Sequence, residues 1–144
     1  MGTTNTIRFA SYNCRSIKNS ISDIRQLCHN HDIILLQEHW LLSSELGYLN
    51  SIHNDFISYG SSAVDTESNV LVGRPYGGTA ILFRRCLSAC VRPVACSNKR
   101  ITAAVLKVVI NNSSSPVLLA SVYMPVNDAT EFSDSEFEDV CGSL

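Results

Sequence analysis

The run Ile33-Ile34-Leu35-Leu36 constrains this chain more than any other stretch. It is short, continuous and apolar, and it lacks the alternation of a strand with one wet face. Such a run reads as a β-strand buried on both sides, which needs a packed layer above it and another below. The segments before it fit that demand. From Ile7 to Asn13 the residues alternate, with Ile7, Phe9 and Ser11 on one face and Arg8, Ala10 and Tyr12 on the other, as in a strand. Ser20 is placed to cap a helix over 20–31 with Asp23 in its first turn, and Ile21, Ile24, Leu27 and Cys28 then share one face.

Beyond the buried run, Leu46, Leu49 and Ile52 predict a helix over 44–52, weakened by Gly47. Residues 56–59 predict a short strand, and the Gly-, Ser-, Asp- and Asn-rich stretch 60–78 predicts a long loop. Strands are then expected at 79–83, 87–95, 101–110 and 117–123, in an antiparallel meander with turns at Ser97-Asn98 and over 111–116. Ser133 and Glu136 have the spacing of a capping box, so a last helix is expected from there. No repeat or linker is visible, and one domain is the simplest count.

The 45% hydrophobic and 17% charged residues are a globular balance. No apolar run approaches the ~18–20 residues of a membrane span. The opening MGTTNTIRF lacks the basic, apolar pre-sequence of a secretory signal. The cysteines 14, 28, 86, 90, 96 and 141 are therefore expected as reduced, mostly buried thiols, in preference to a zinc site at Cys86, Cys90 and Cys96. Residues 61–120 hold seven basic and two acidic side chains, whereas 121–144 hold six acidic and no basic ones. A basic middle suits a polyanion, or simply a soluble set of strand edges.

Three polar residues end apolar strands: Asn13, Glu38 of the Gln37-Glu38 pair, and Tyr123 before Met124-Pro125. Strand ends are where α/β proteins place ligands, and a carboxylate there can hold Mg²⁺ together with substrate phosphate oxygens. A solvated strand end would also explain Glu38, a turn Asn13, and core packing Tyr123.

The segments SYNCRSIKNSISDIRQL, DIILLQEHWL, YGGTAILFRR, KRITAAVLKV and LLASVYMP stand in the order of the endonuclease/exonuclease/phosphatase superfamily. The chain resembles in particular the endonuclease that precedes the reverse transcriptase of non-LTR retrotransposons, with apurinic endonucleases and deoxyribonuclease I as relatives. The resemblance implies an α/β (α+β) fold, the N-terminal portion of a DNase I-like four-layer sandwich with a mixed sheet and flanking helices. It implies Glu38 as ligand of Mg²⁺ or Mn²⁺, Asn13 as the residue orienting that ligand and the phosphate, and Tyr123 as a donor to the scissile phosphate. Arg100 would be structural or phosphate-facing. Arg15 stands where some relatives carry an acidic or amide residue near the metal, and would face nucleic acid instead.

The family also uses an Asp-x-Asn motif and an Asp-His pair, and these 144 residues contain neither. None of His29, His31, His39 and His53 matches the family's base, and His39, adjoining Glu38, is expected to point away from the metal. The expectations are thus a partial DNA-nicking endonuclease domain over 1–144, inactive by itself, or alternatively a dead remnant acting as a binding module. DNA is the expected partner in the whole domain, with no membrane, and an uncovered, open-edged sheet is expected to self-associate. An intracellular place is expected, the nucleus if DNA is the substrate.

Overall fold

The computed structural model describes residues 6–64, 76–125 and 131–144. Its strands are β1 (Phe9–Asn13), β2 (Ile33–Gln37), β3 (Phe56–Ser61), β4 (Thr79–Arg84), β5 (Val91–Val94), β6 (Ile101–Ile110) and β7 (Ser113–Val122), and its α-helices are α1 (Ile21–Asn30) and α2 (Glu131–Ser143). One sheet has the order β1-β2-β4-β3 and the other β5-β6-β7. The first is mixed: β1 and β2 run parallel, while β4 is antiparallel to both β2 and β3. The second is antiparallel throughout.

The apolar run of β2 is buried on both faces because it lies between layers. Ile34 and Leu36, with Ala80 and Leu82 of β4, pack against Ile24 and Cys28 of α1 and against Leu49 and Ile52. Ile33, with Ile81 and Phe83, faces Val91, Ala104, Leu106 and Leu119 of the second sheet. Val140 of α2, 1% exposed, covers Ile101 and Ala103 on the far side of that sheet. The order is therefore helices, mixed sheet, antiparallel sheet, helix. The expected α+β sandwich is present with its four layers, and the outer sheet face is partly covered where it was expected bare.

Several elements differ from their sequence reading. Thr79–Arg84 leaves the meander and enters the first sheet, since its apolar run is bounded by two strands that need a buried partner. The strand expected at 87–95 shrinks to β5, because the chain first makes a 3₁₀ turn at Arg85–Leu87. Ser43–Ser51 is a 3₁₀ segment and not an α-helix; Leu46, Leu49 and Ile52 recur strictly every third residue, the 3₁₀ period. The turn expected over 111–116 needs only two residues. Asn111 and Asn112 take φ of 50° and 63°, Ile110 pairs with Ser113, and 113–116 extend β7. Both residues with φ > 0 are the mark of the tight hairpin turn that asparagine tolerates. Glu131 already begins α2, so Ser133 lies inside the helix and not at its start. Ser20 precedes α1 as expected, but its hydroxyl donates to the Cys14 carbonyl, 2.6 Å, and its oxygen accepts no capping bond from a helix N–H. Residues 65–75 of the expected loop lie outside the described residues, and Gly60 and Ser61 belong to β3.

Edges and termini have their own chemistry. Lys107 N–H donates to the Cys90 carbonyl, 2.8 Å, so odd-numbered residues of β6 turn their backbone groups to β5 and even-numbered ones to β7. By the register, Pro93 and Pro116 then sit where the backbone faces the two outer edges of this sheet. A proline there removes no ladder bond. Asp32 ties three elements: its carboxylate accepts from the Arg8 N–H at 2.8 Å and from Arg84 Nε at 2.9 Å, while Arg84 also reaches the Cys28 carbonyl. All six cysteines are free thiols. Only Cys14 and Cys28 are buried, contrary to the expectation of mostly buried thiols, because the segments carrying Cys86, Cys90 and Cys141 lie on turns or on the outer side of α2. Among the described residues, no helix is long and apolar enough to cross a membrane.

Candidate functional site

Alternation in the first sheet sends Ser11 and Asn13 of β1 and Gln37 of β2 to the face that meets the second sheet, while Ala10 and Tyr12 pack toward the helices. In β7, Leu119 packs inward and Ala120 and Val122 outward, so Ser121 and Tyr123 face the first sheet. The carboxyl ends of β1, β2 and β7 thus open onto one end of the crevice between the sheets.

Glu38 stands at that end with φ of 56°, just after β2. An L-residue pays roughly 1–2 kcal/mol for this left-handed backbone, and two bonds hold it: Ser16 N–H to the Glu38 carbonyl and Cys14 N–H to the Gln37 carbonyl, both 2.9 Å. Asn13 Nδ2 donates to Glu38 Oε1 at 3.2 Å, and Asn13 Oδ1 accepts the Arg15 N–H at 3.3 Å. Tyr123 lies against the same carboxylate. Burial, the Glu38 charge and a hydrogen bond to Glu38 raise the phenol's pKa, against the opposing charge of Arg100. The Arg100 guanidinium sits over the Tyr123 ring, 5.4 Å from its centre. The structure therefore brings Asn13, Glu38 and Tyr123 together, with Arg100 behind the phenol. Arg15, also left-handed at φ 41°, is exposed at the rim.

His39 turns away from Glu38, as expected, but not through the alternation of neighbouring strand residues. Glu38 lies outside the strand, so alternation does not apply; the ring is instead anchored elsewhere. Nδ1 accepts the Leu41 N–H and Nε2 donates to the Ser61 carbonyl, both at 2.9 Å. Burial lowers its pKa, and the ring is 1% exposed. Gly78, at φ 88°, passes so close that any Cβ would strike the imidazole. At Gly77 a Cβ would come within 2.8 Å of Ala63 and 3.4 Å of the Tyr123 ring.

Sequence reasoning named the tips of this site and missed its supports. Gln37 was read only as the neighbour of Glu38. Its Nε2 donates to Ser121 Oγ at 2.9 Å, its Oε1 accepts from Ser11 Oγ at 3.3 Å, and Ser121 Oγ donates to the Leu36 carbonyl at 2.6 Å. Thr79 and Thr102 bridge the same two sheets with hydroxyls 2.8 Å apart. The available signal was a polar residue at an inward position of an otherwise apolar strand, as at Ser121. Among the described residues, no three His, Cys, Asp or Glu side chains converge into a metal cage.

A mixed sheet packed on an antiparallel one, with helices outside and polar strand ends meeting at one mouth, defines a two-sheet α/β sandwich with its site at the strand ends. The chain belongs to the Endonuclease/Exonuclease/phosphatase family, whose sequence pattern matches residues 10–129. No curated protein matches it significantly. Among solved structures it is similar to the Xenopus laevis APE2 catalytic domain, with TM-score 0.69 and 15% identity over 95% of this chain and 52% of that one. It is also similar to the 3′ phosphatase NExo from Neisseria bound to a product DNA hairpin, with TM-score 0.66 and 16% identity over 96% of this chain and 50% of that one. An AP endonuclease from Archaeoglobus fulgidus gives 0.58 and 14%, over 92% and 48%. The chain spans about half the length of these structures, and at such identities the likeness is one of fold.

Proposed function

We propose that this chain is the N-terminal part of a divalent-metal-dependent DNA-nicking endonuclease domain of the non-LTR retrotransposon type, and that these residues alone do not cleave. The observation that carries the reading is the meeting of Asn13, Glu38 and Tyr123 at the crevice mouth. Relatives in fold whose names speak of AP endonuclease or 3′ phosphatase action on DNA support the substrate class. The five ordered motifs support the retrotransposon branch.

The donor set fits a hard cation. Glu38 is a partly exposed carboxylate held by two neutral donors, the Asn13 amide and the Tyr123 hydroxyl. Mg²⁺ is commonly held by one or two protein carboxylates with the remainder from phosphate and water. When bound, such an ion polarises the phosphoryl oxygen and stabilises the leaving alkoxide. The chain's own residues do the rest of what is present here. Asn13 orients the Glu38 carboxylate. Tyr123, its pKa raised, keeps its proton and donates to a phosphate oxygen. Arg100 adds positive charge behind the phenol, and Arg15 meets the backbone of the nucleic acid at the rim.

Water activation needs a base, and His39, with both ring nitrogens engaged, does not provide it. Losing a positioned base costs roughly 10²–10⁴ in rate. The test is nicking of supercoiled plasmid with Mg²⁺. The 144-residue chain should leave the plasmid intact. A chimera carrying the second half of a family relative should nick it, and Glu38→Ala in that chimera should abolish nicking. Cleavage by the short chain that survives Glu38→Ala would overturn the assignment.

A further inference from the structure

We infer that Gln37 is a positioning residue: it sets the distance between the sheet that carries Asn13 and Glu38 and the sheet that carries Tyr123. The inference deepens the proposed function and rests on that reading for its purpose, but its geometry stands alone.

Two sheets packed through apolar faces attract one another without direction. Ile, Leu and Ala contacts tolerate a slide of a fraction of an ångström at little cost, and a slide here would move Tyr123 relative to Glu38. Directed hydrogen bonds between polar groups resist it, most where one partner is buried, as Ser121 is. Gln37 supplies them at the position that matters. It immediately precedes Glu38 in β2, its amide nitrogen donates to Ser121, and Ser121 lies two residues before Tyr123 on the same face of β7. Ser121, 1% exposed, donates its hydroxyl hydrogen bond to the Leu36 carbonyl, so the bond is anchored in the backbone of β2. The Gln37 oxygen takes the Ser11 hydroxyl of β1, two residues before Asn13. One side chain thereby joins the three strands that end in the three site residues. A glutamate in its place would lack the donor for Ser121, and an asparagine would be shorter by a methylene.

The experiment is solution NMR on the chain, with the Tyr123 ring and the Asn13 side-chain amide as reporters and no metal present. In the parent, Glu38→Gln should shift both sets of signals, because both groups touch the carboxylate. With Gln37→Leu in the background, the Asn13 response should persist and the Tyr123 response should be lost. Ser121→Ala should repeat that loss, and Ser121→Thr, which keeps the hydroxyl, should restore the response. Thr102→Val is the control: it removes the other bridge between the sheets, at Thr79, and should leave the Tyr123 response in place.

The inference is overturned if Tyr123 still responds with Gln37→Leu, if Thr102→Val erases the response equally, or if Tyr123 does not respond in the parent. Should Gln37→Leu fail to fold, Ser121→Ala against Ser121→Thr decides alone. Addition of Mn²⁺ to the parent tests the function separately. Selective broadening of the Asn13 and Tyr123 signals is expected, and its absence would remove Glu38 as a metal ligand while leaving the metal-free result intact.

Discussion

His39 enters the fold as a neutral ring because a backbone N–H already occupies its Nδ1 and burial disfavours the cation. Its folded pKa lies below the ordinary 6.5, so the unfolded chain binds more protons in between. Stability from this residue is complete above about pH 6.5 and is lost as pH falls toward the folded pKa. Thermal melts from pH 7.5 downward should show a falling midpoint, and His39→Gln should flatten the slope; an unchanged slope would contradict the buried neutral ring. The thiols divide in a similar way. Burial pushes Cys14 up to about 12 and Cys28 up to about 11, while Cys86, Cys90 and Cys141 are exposed. The thiolate is the reactive form. Alkylation of the native protein at pH 8 should label the exposed three within minutes and spare Cys14 and Cys28 until denaturant is added. At this scale the sequence showed what ends each strand, since an apolar run that stops at Asn13 or Glu38 is visible in one dimension. It did not show Gln37 and Ser121 as partners, because the bond joins residues far apart in the chain and the two sheets come together only in the folded state.

Among the elements, the β6–β7 hairpin turns on two asparagines, each held at φ > 0. Glycine at the second central position suits such a turn better than any L-residue. Asn112→Gly should therefore stabilise the chain by about 0.5 kcal/mol, read as a higher denaturation midpoint with an unchanged slope. A loss of stability would mean the turn is not of this type. The misread elements share a physical cause. Periodicity registers burial and not the partner that causes it. The apolar run of β4 looks the same whether it joins the meander or, as it does, fits between β2 and β3. The spacing of three at Leu46, Leu49 and Ile52 belongs as well to a 3₁₀ segment as to one stretch of an α-helix. The alternation of β1 and the two-sided burial of β2 were legible because each pattern admits one reading.

For the whole molecule, the four layers leave one region thinly covered. Val109 is 76% exposed and Leu118 58%, beyond the part of the second sheet under Val140. Residues 113–122 carry no charge. Pro116 blunts the edge of β7 at one point, yet Leu118, Ala120 and Val122 turn their backbone groups outward by the same register. Unprotected edges invite pairing. We expect the isolated chain to associate through β7, with light scattering showing mass that grows with concentration. Ala120→Pro removes an outward N–H and no ladder bond, and should return the protein to monomer. A parent that is monomeric at every concentration would end this expectation.

The left-handed backbone of Glu38 has a consequence for laboratory evolution. Nothing in the packing of the core asks for a glutamate there, and the conformation favours glycine or asparagine. A library of random variants sorted only for heat resistance should drift at position 38 toward those residues, while Gln37 and Gly78 stay as they are. A library sorted instead for the work of the assembled domain should hold Glu38 against that drift. Sequencing both pools would separate what the fold wants at this position from what the chemistry wants.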